Sequence, residues 1–115
     1  MEVIFDSSQQ VFHLRNQKLS YLIQLERFGY VTHLYFGQRL EHYSGIAAYP
    51  RIHRDFEVES VEFGADVRDF SVGNLLYEYS QHNRGDFRHP ALVLRHADGS
   101  TVSDFRYDRH EIVAS

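Results

Sequence analysis

Apolar and polar residues alternate with a period of two through much of the first third of the chain. Phe12 and Leu14 are interleaved with His13 and Arg15, and Leu19, Tyr21, Ile23 and Leu25 with Ser20, Gln24 and Glu26. Successive side chains of a strand point to opposite faces, so this spacing predicts strands with one face buried. Asn16-Gln17-Lys18 supplies turn chemistry between these two segments. Arg27-Phe28-Gly29 breaks the pattern, which resumes over residues 30–36 and stops at Gly37, as in a β-hairpin. Three antiparallel neighbours in sequence make a meander.

A second hairpin is predicted further on. Residues 91–96 and 101–107 flank Ala97-Asp98-Gly99-Ser100, and Asp-Gly tolerates the positive φ that a tight hairpin turn requires. In the later segment Phe105 and Tyr107 share one face while Asp104, Arg106 and Asp108 share the other, which specifies its register. Leu40, Tyr43 and Ala47 suggest a helix within residues 39–49, ended by Pro50. Residues 49–55 read as an exposed loop, and residues 56–64 as a charged edge strand. Neither an internal repeat nor a low-complexity tract is present. The expected fold is all-β, a hairpin-rich antiparallel β-sandwich. The strand through Phe105 and Tyr107 runs on to Val113 with no turn or closing element after it, so the expectation is the front part of a larger sandwich with an open edge that self-associates.

Composition sharpens this picture. Nine Phe and eight Tyr without any Trp favour pleated, half-buried surfaces. At 115 residues the chain holds one modest core. It is far short of the roughly 250 residues of a catalytic (β/α)₈ barrel. Basic and acidic residues number 12 and 16 and are interspersed, for a formal charge of −4, so no phosphate-tracking stripe points to nucleic acid. The absence of cysteine removes disulfides, thiolate nucleophiles and cysteine-ligated zinc. The start, Met1-Glu2-Val3-Ile4-Phe5-Asp6, lacks the basic and apolar regions of a leader, and no run is long enough to cross a membrane, so a cytoplasmic location is expected. The eight histidines form no metal motif. His82, His89 and His96 recur every seven residues, which on a strand alternates faces.

One stretch departs from strand chemistry. In His82-Asn83-Arg84-Gly85-Asp86-Phe87-Arg88-His89-Pro90-Ala91-Leu92, two arginines bracket an Asp-Phe pair, a charge density that a core strand does not accept without partners. Such paired charges ordinarily brace backbone across a turn, so Arg84, Asp86 and Arg88 are expected to form a structural loop.

That stretch, with "QQVFHLRNQKLSYLIQL" and "HLYFGQRL" before it and "DGSTVSDFRYDRHEI" after it, resembles the amino-terminal region of family 36 glycoside hydrolases, the α-galactosidases. The likeness runs from about Phe5 to Ile112. Its most specific part is Gly85-Asp86-Phe87-Arg88-x-Pro90-Ala91, then Asp98-Gly99-Ser100, then Asp104-Phe105-Arg106-Tyr107-x-x-His110. The resemblance implies a partial amino-terminal β-sandwich domain spanning residues 1–115, ahead of a catalytic barrel absent from this chain. It implies an enzyme that hydrolyses terminal α-D-galactosides, of the melibiose or raffinose type, with retention. Retention uses two carboxylates roughly 5 Å apart. The resemblance places both in the barrel, so no catalytic residue is assigned here, and no cofactor or metal is implied. Related enzymes look like tetramers in which an amino-terminal loop approaches a neighbour's site. On that basis His53 and Asp55 are the candidates for substrate contact in trans, with the rest of the enzyme chain and neighbouring subunits as partners. Alternatives of other classes are a free-standing carbohydrate-binding β-sandwich and an oligomerisation subunit. Tyr21, Tyr30, Tyr35 and Phe36 suit sugar stacking, although core packing is the commoner use of aromatics on paired strands.

Overall fold

The computed structural model describes residues 1–45, 63–64, 67, 70–82 and 86–114. The chain divides into two compact units, Met1–Ala47 with Arg106–Ser115, and Ala48–Phe105.

The first unit is built on a four-stranded antiparallel meander, with strands β1 (Glu2–Asp6), β2 (Val11–Arg15), β3 (Leu19–Leu25) and β4 (Val31–Gln38) in sequential order. The all-β expectation therefore holds, and the sheet is one strand wider than the periodicity indicated. A side chain pins each of the first two turns. At the β1–β2 turn, Asp6 Oδ1 accepts from Ser8 N at 2.9 Å and Gln9 N at 3.1 Å. At the β2–β3 turn, Asn16 Oδ1 accepts from Lys18 N and Leu19 N, both at 2.8 Å. The β3–β4 turn is a short 3₁₀ segment, Arg27–Gly29, in which Phe28 and Gly29 take φ of 62° and 83°. A bulge lies between Leu22 and Ile23, which pair with Tyr35 and His33, so that Leu34 is the extra residue of β4.

Apart from Leu25, which is buried, the buried face is not the one the alternation indicated. Val11, His13, Ser20, Leu22 and Thr32 are buried, whereas Leu19 is exposed and Tyr21 and Ile23 are half-buried. Burying the more polar face is possible because its polar groups satisfy one another: His13 Nε2 and Ser20 Oγ lie 2.8 Å apart. By register, Phe5, Phe12, Leu14, Tyr21 and Phe36 share the opposite face. The ring of His110 packs on Phe5 and Phe12 at centroid distances of 4.4 and 4.7 Å. Of the aromatics weighed for sugar stacking, Tyr30 is buried beneath the Arg106 guanidinium at 5.0 Å, while Phe36 is 64% exposed.

Residues 39–45 do not form a helix, because their amides bond to the sheet rather than to carbonyls four residues earlier. Arg39 N donates to Lys18 O at 2.8 Å, and Leu40 N to Ser20 Oγ at 2.8 Å. The remainder of the anticipated helix, the loop at 49–55 and most of the edge strand at 56–64 lie outside the described residues.

In the second unit Phe63 and Phe70 meet edge to face at 5.2 Å, and Phe70, Val72 and Leu75 are buried. A short 3₁₀ turn, Val72–Asn74, is capped by Ser71, whose Oγ accepts from Gly73 N at 3.2 Å. The Asp98-Gly99 turn forms as expected: Gly99 has φ of 86°, His96 N donates to Ser100 O at 2.8 Å, and Asp98 Oδ1 accepts from Ser100 N at 2.9 Å. That last bond holds the Asp98 carboxyl below its ordinary pKa. The flanking segments, however, are not strands. Their backbone donors go elsewhere: Ser103 N to His82 O at 2.6 Å and Phe105 N to Gln81 Oε1 at 2.6 Å. In the first unit, Tyr107 N donates to Gly29 O at 2.6 Å. One isolated parallel bridge joins Gln81 to Leu92. A second sheet, which a sandwich requires, is not present among the described residues.

Candidate functional site

Asp86 and Arg88 are paired with each other. Asp86 Oδ1 accepts from Arg88 Nε at 2.7 Å and from Arg88 N at 3.2 Å, which closes the Asp86-Phe87-Arg88 turn on itself. The rest of the guanidinium reaches across the unit. Its Nη1 donates to Leu75 O and its Nη2 to Val72 O at 3.1 Å, and its carbon lies 4.6 Å from the centre of the Tyr77 ring. One planar fork thus ties the turn to both carbonyls of the Val72–Leu75 bend, a job that suits arginine's fixed set of donors. Asp86 is 6% exposed, and its Oδ2 is buried without a hydrogen-bond partner. Phe87, held between the two braced residues, is 96% exposed.

Gln81, which the sequence did not single out, does comparable work. It is 1% exposed, and its amide both donates to Phe105 O at 3.3 Å and accepts from Phe105 N at 2.6 Å, standing in for a neighbouring strand. Nothing in the run Tyr79-Ser80-Gln81-His82 marks it, since a glutamine there reads equally well as solvated surface. Ser80 also faces the motif: its Oγ donates to His89 O at 2.8 Å and accepts from Ala91 N at 3.1 Å.

These contacts give a frame. The Asp86 carboxylate is engaged by a cation and an amide, and the described contacts supply it with neither a second carboxylate nor a base. Arg84, the third residue of the expected structural loop, and His53 and Asp55, the candidates for substrate contact, lie outside the described residues. His82, His89 and His96 do not converge, and no cluster able to hold a metal ion occurs among the described residues. His96 Nε2 instead sits 2.9 Å from Val102 O. No helix among those residues is long and apolar enough to cross a membrane.

The same stretch aligns with known proteins. The model of the glycosyl hydrolase family 36 N-terminal domain matches residues 29–115. Alpha-galactosidase AgaA of Geobacillus stearothermophilus is 40% identical over 97% of the chain, a stretch that makes up 15% of AgaA. Among solved structures, the α-galactosidase AgaB of the same organism superposes with a TM-score of 0.80 at 36% identity, covering 96% of this chain and 14% of that one. A variant of AgaA in complex with raffinose superposes with a TM-score of 0.75 at 40% identity, covering 88% and 14%. The chain therefore spans about 15% of the length of the curated relative AgaA.

Proposed function

This chain belongs to the family 36 glycosyl hydrolase N-terminal domains, and from that premise we propose that it serves an α-galactosidase acting on terminal α-D-galactosides with retention, shaping the active site and the assembly rather than supplying the catalytic carboxylates. The observation that carries this is the state of Asp86, the acid at the centre of the most specific motif. Its Oδ1 is committed to Arg88 and it is buried in a frame of backbone carbonyls, which suits a brace and not an acid or nucleophile. The relatives' names, and the raffinose bound to the AgaA variant, support a galactoside as the substrate of the whole enzyme. His53 and Asp55 are proposed to touch that substrate across a subunit boundary, and the remaining enzyme chain and neighbouring subunits are the proposed partners.

Three measurements test this. The isolated chain should not turn over a chromogenic α-galactoside above background, and it should bind raffinose no better than an unrelated β-protein does. Grafted in place of the matching segment of AgaA, it should yield an active enzyme whose His53→Ala and Asp55→Ala variants show a raised KM for raffinose with assembly intact. Turnover by the isolated chain that vanishes in Asp86→Asn would overturn the non-catalytic assignment. Variants at His53 and Asp55 that leave KM and kcat untouched would remove those two residues from the site.

A further inference from the structure

We infer that Phe87 is a preformed anchor, held out by the Asp86–Arg88 turn to enter an apolar recess on the remainder of the same α-galactosidase chain. This role rests on the reading that the chain serves such an enzyme, and it names one contact through which the two parts are joined.

Exposure alone would not mark the residue, because single apolar side chains are common on protein surfaces. Phe87 is set apart by the contrast with its neighbours. It is 96% exposed, while the side chain of Asp86 beside it is 1% exposed. The turn that carries the ring is fixed on both sides. Asp86 Oδ1 accepts from Arg88 N and Arg88 Nε, and the Arg88 fork is seated on Val72 O and Leu75 O and over the Tyr77 ring. Ser80 then holds the residues that follow: Ala91 N donates to Ser80 O at 2.9 Å, and Ser80 Oγ donates to His89 O at 2.8 Å. All of these groups belong to the second unit.

Burying a carboxylate is unfavourable unless a cation and further donors match it. Here the matched pair supports a turn whose middle side chain packs on almost nothing. No contact among the described residues calls for phenylalanine at that position, and the apolar area of its ring stabilises nothing until something covers it. Because Asp86 and Arg88 are already ordered, the backbone loses little further freedom when the ring is covered. The ring itself has only two side-chain torsions to fix, so it is covered at low entropic cost.

Area decides between partners. One such ring offers about 150–250 Å². A stable contact between separate molecules needs about 1,000 Å² or more, so Phe87 by itself does not hold a second copy or an independent protein. Within one polypeptide the demand is smaller, since covalent linkage presents the partner at an effective concentration on the order of 1 mM. The matched stretch makes up 15% of AgaA and 14% of AgaB, so in these relatives the greater part of the chain lies outside it. That remainder is the occupant a single rigid anchor suits.

The test uses the whole enzyme made by grafting this chain in place of the matching segment of AgaA. Phe87→Ser should raise the rate of heat inactivation of the graft about tenfold, and Phe87→Tyr should stay close to the parent. In the 115-residue chain alone, the same Phe87→Ser should change the unfolding rate by less than about twofold, since the ring is uncovered there. A photoreactive phenylalanine analogue at position 87 of the graft should cross-link to residues outside the graft, leaving the denatured mass that of one polypeptide. A Phe87→Ser graft that inactivates at the parent rate, an equal loss in the 115-residue chain, or a cross-link that doubles the denatured mass would each overturn the anchor, while the activity of the graft leaves the α-galactosidase reading standing. A parent graft without α-galactosidase activity would instead overturn that reading, and the anchor with it.

Discussion

The two units are held together by different means. In the first, backbone pairs with backbone along four strands, and the side chains that matter mostly pin turns. In the second, side chains stand in for the missing ladder: Arg88 gathers the carbonyls of Val72 and Leu75, and Gln81 takes both backbone groups of Phe105. A ladder shares its cost over many bonds, so the loss of one is tolerated. A clamp concentrates several bonds in one residue, and its loss strands every partner at once.

The contrast is tested most severely at Arg88. Arg88→Ala should lower stability by about 3 kcal/mol, the lower end for breaking a buried ion pair, because it leaves the Asp86 carboxylate buried without its cation while Arg88 itself is partly exposed. Denaturant melts measure this, and Arg88→Lys should not restore it, since an ammonium cannot reach Asp86 and both carbonyls together. A loss no larger than that of an ordinary surface substitution would end the distinction between the units.

Gln81→Ala should cost about 2 kcal/mol, because it removes a buried amide that pairs with both backbone groups of Phe105. Exchange at the Phe105 amide should rise in step, while amides of β2 and β3 serve as the control. Gly29→Ala tests the first unit at its most demanding turn. With φ of 83° and an added Cβ only 3.4 Å from Arg106 Cβ, it should cost about 1–2 kcal/mol. If it cost more than Arg88→Ala, the sheet and not the clamp would be the fragile region.

The smallest effect concerns Asp6. Its folded pKa is lowered from 3.8 to about 2 by hydrogen bonds from Ser8 and Gln9. The stabilisation it gives the β1–β2 turn is therefore complete above 3.8 and is lost as pH falls through about 2. Carbon chemical shifts of the Asp6 carboxyl followed through acid should show that displaced midpoint. In Ser8→Ala and Gln9→Ala the midpoint should move back towards 3.8.

How much could be read in advance follows the same division. Strands β2, β3 and β4 were legible because their residues alternate and their turns carry Asn16 and Gly29. Strand β1 was not, since Val3-Ile4-Phe5 is a continuous apolar run with no period to detect. Apart from Leu25 the buried face came out inverted, because periodicity shows that two faces differ but not that His13 and Ser20 satisfy each other well enough to go inside. The Asp98-Gly99 turn was legible, but the strands expected on either side of it do not form: pattern shows which backbone could pair, while Gln81, His82 and Gly29 decide what it pairs with. Charge spacing drew notice to Asp86 and Arg88, but the carbonyls that Arg88 gathers, thirteen and sixteen residues away, left no mark in the pattern.

The bond from Tyr107 N to Gly29 O and the seating of His110 on Phe5 and Phe12 join the last residues of the chain to the first sheet. A ribosome makes the sheet early and this closing segment late, at about 5–20 residues per second. The nascent meander must therefore wait several seconds with Phe5 and Phe12 uncovered while residues 48–105 are made between its two contributions. During that wait the first unit is open to chaperones and to other nascent chains in a way it is not once residues 106–114 are in place. Slowing translation across residues 48–105 would lengthen the exposure without changing a single contact in the product.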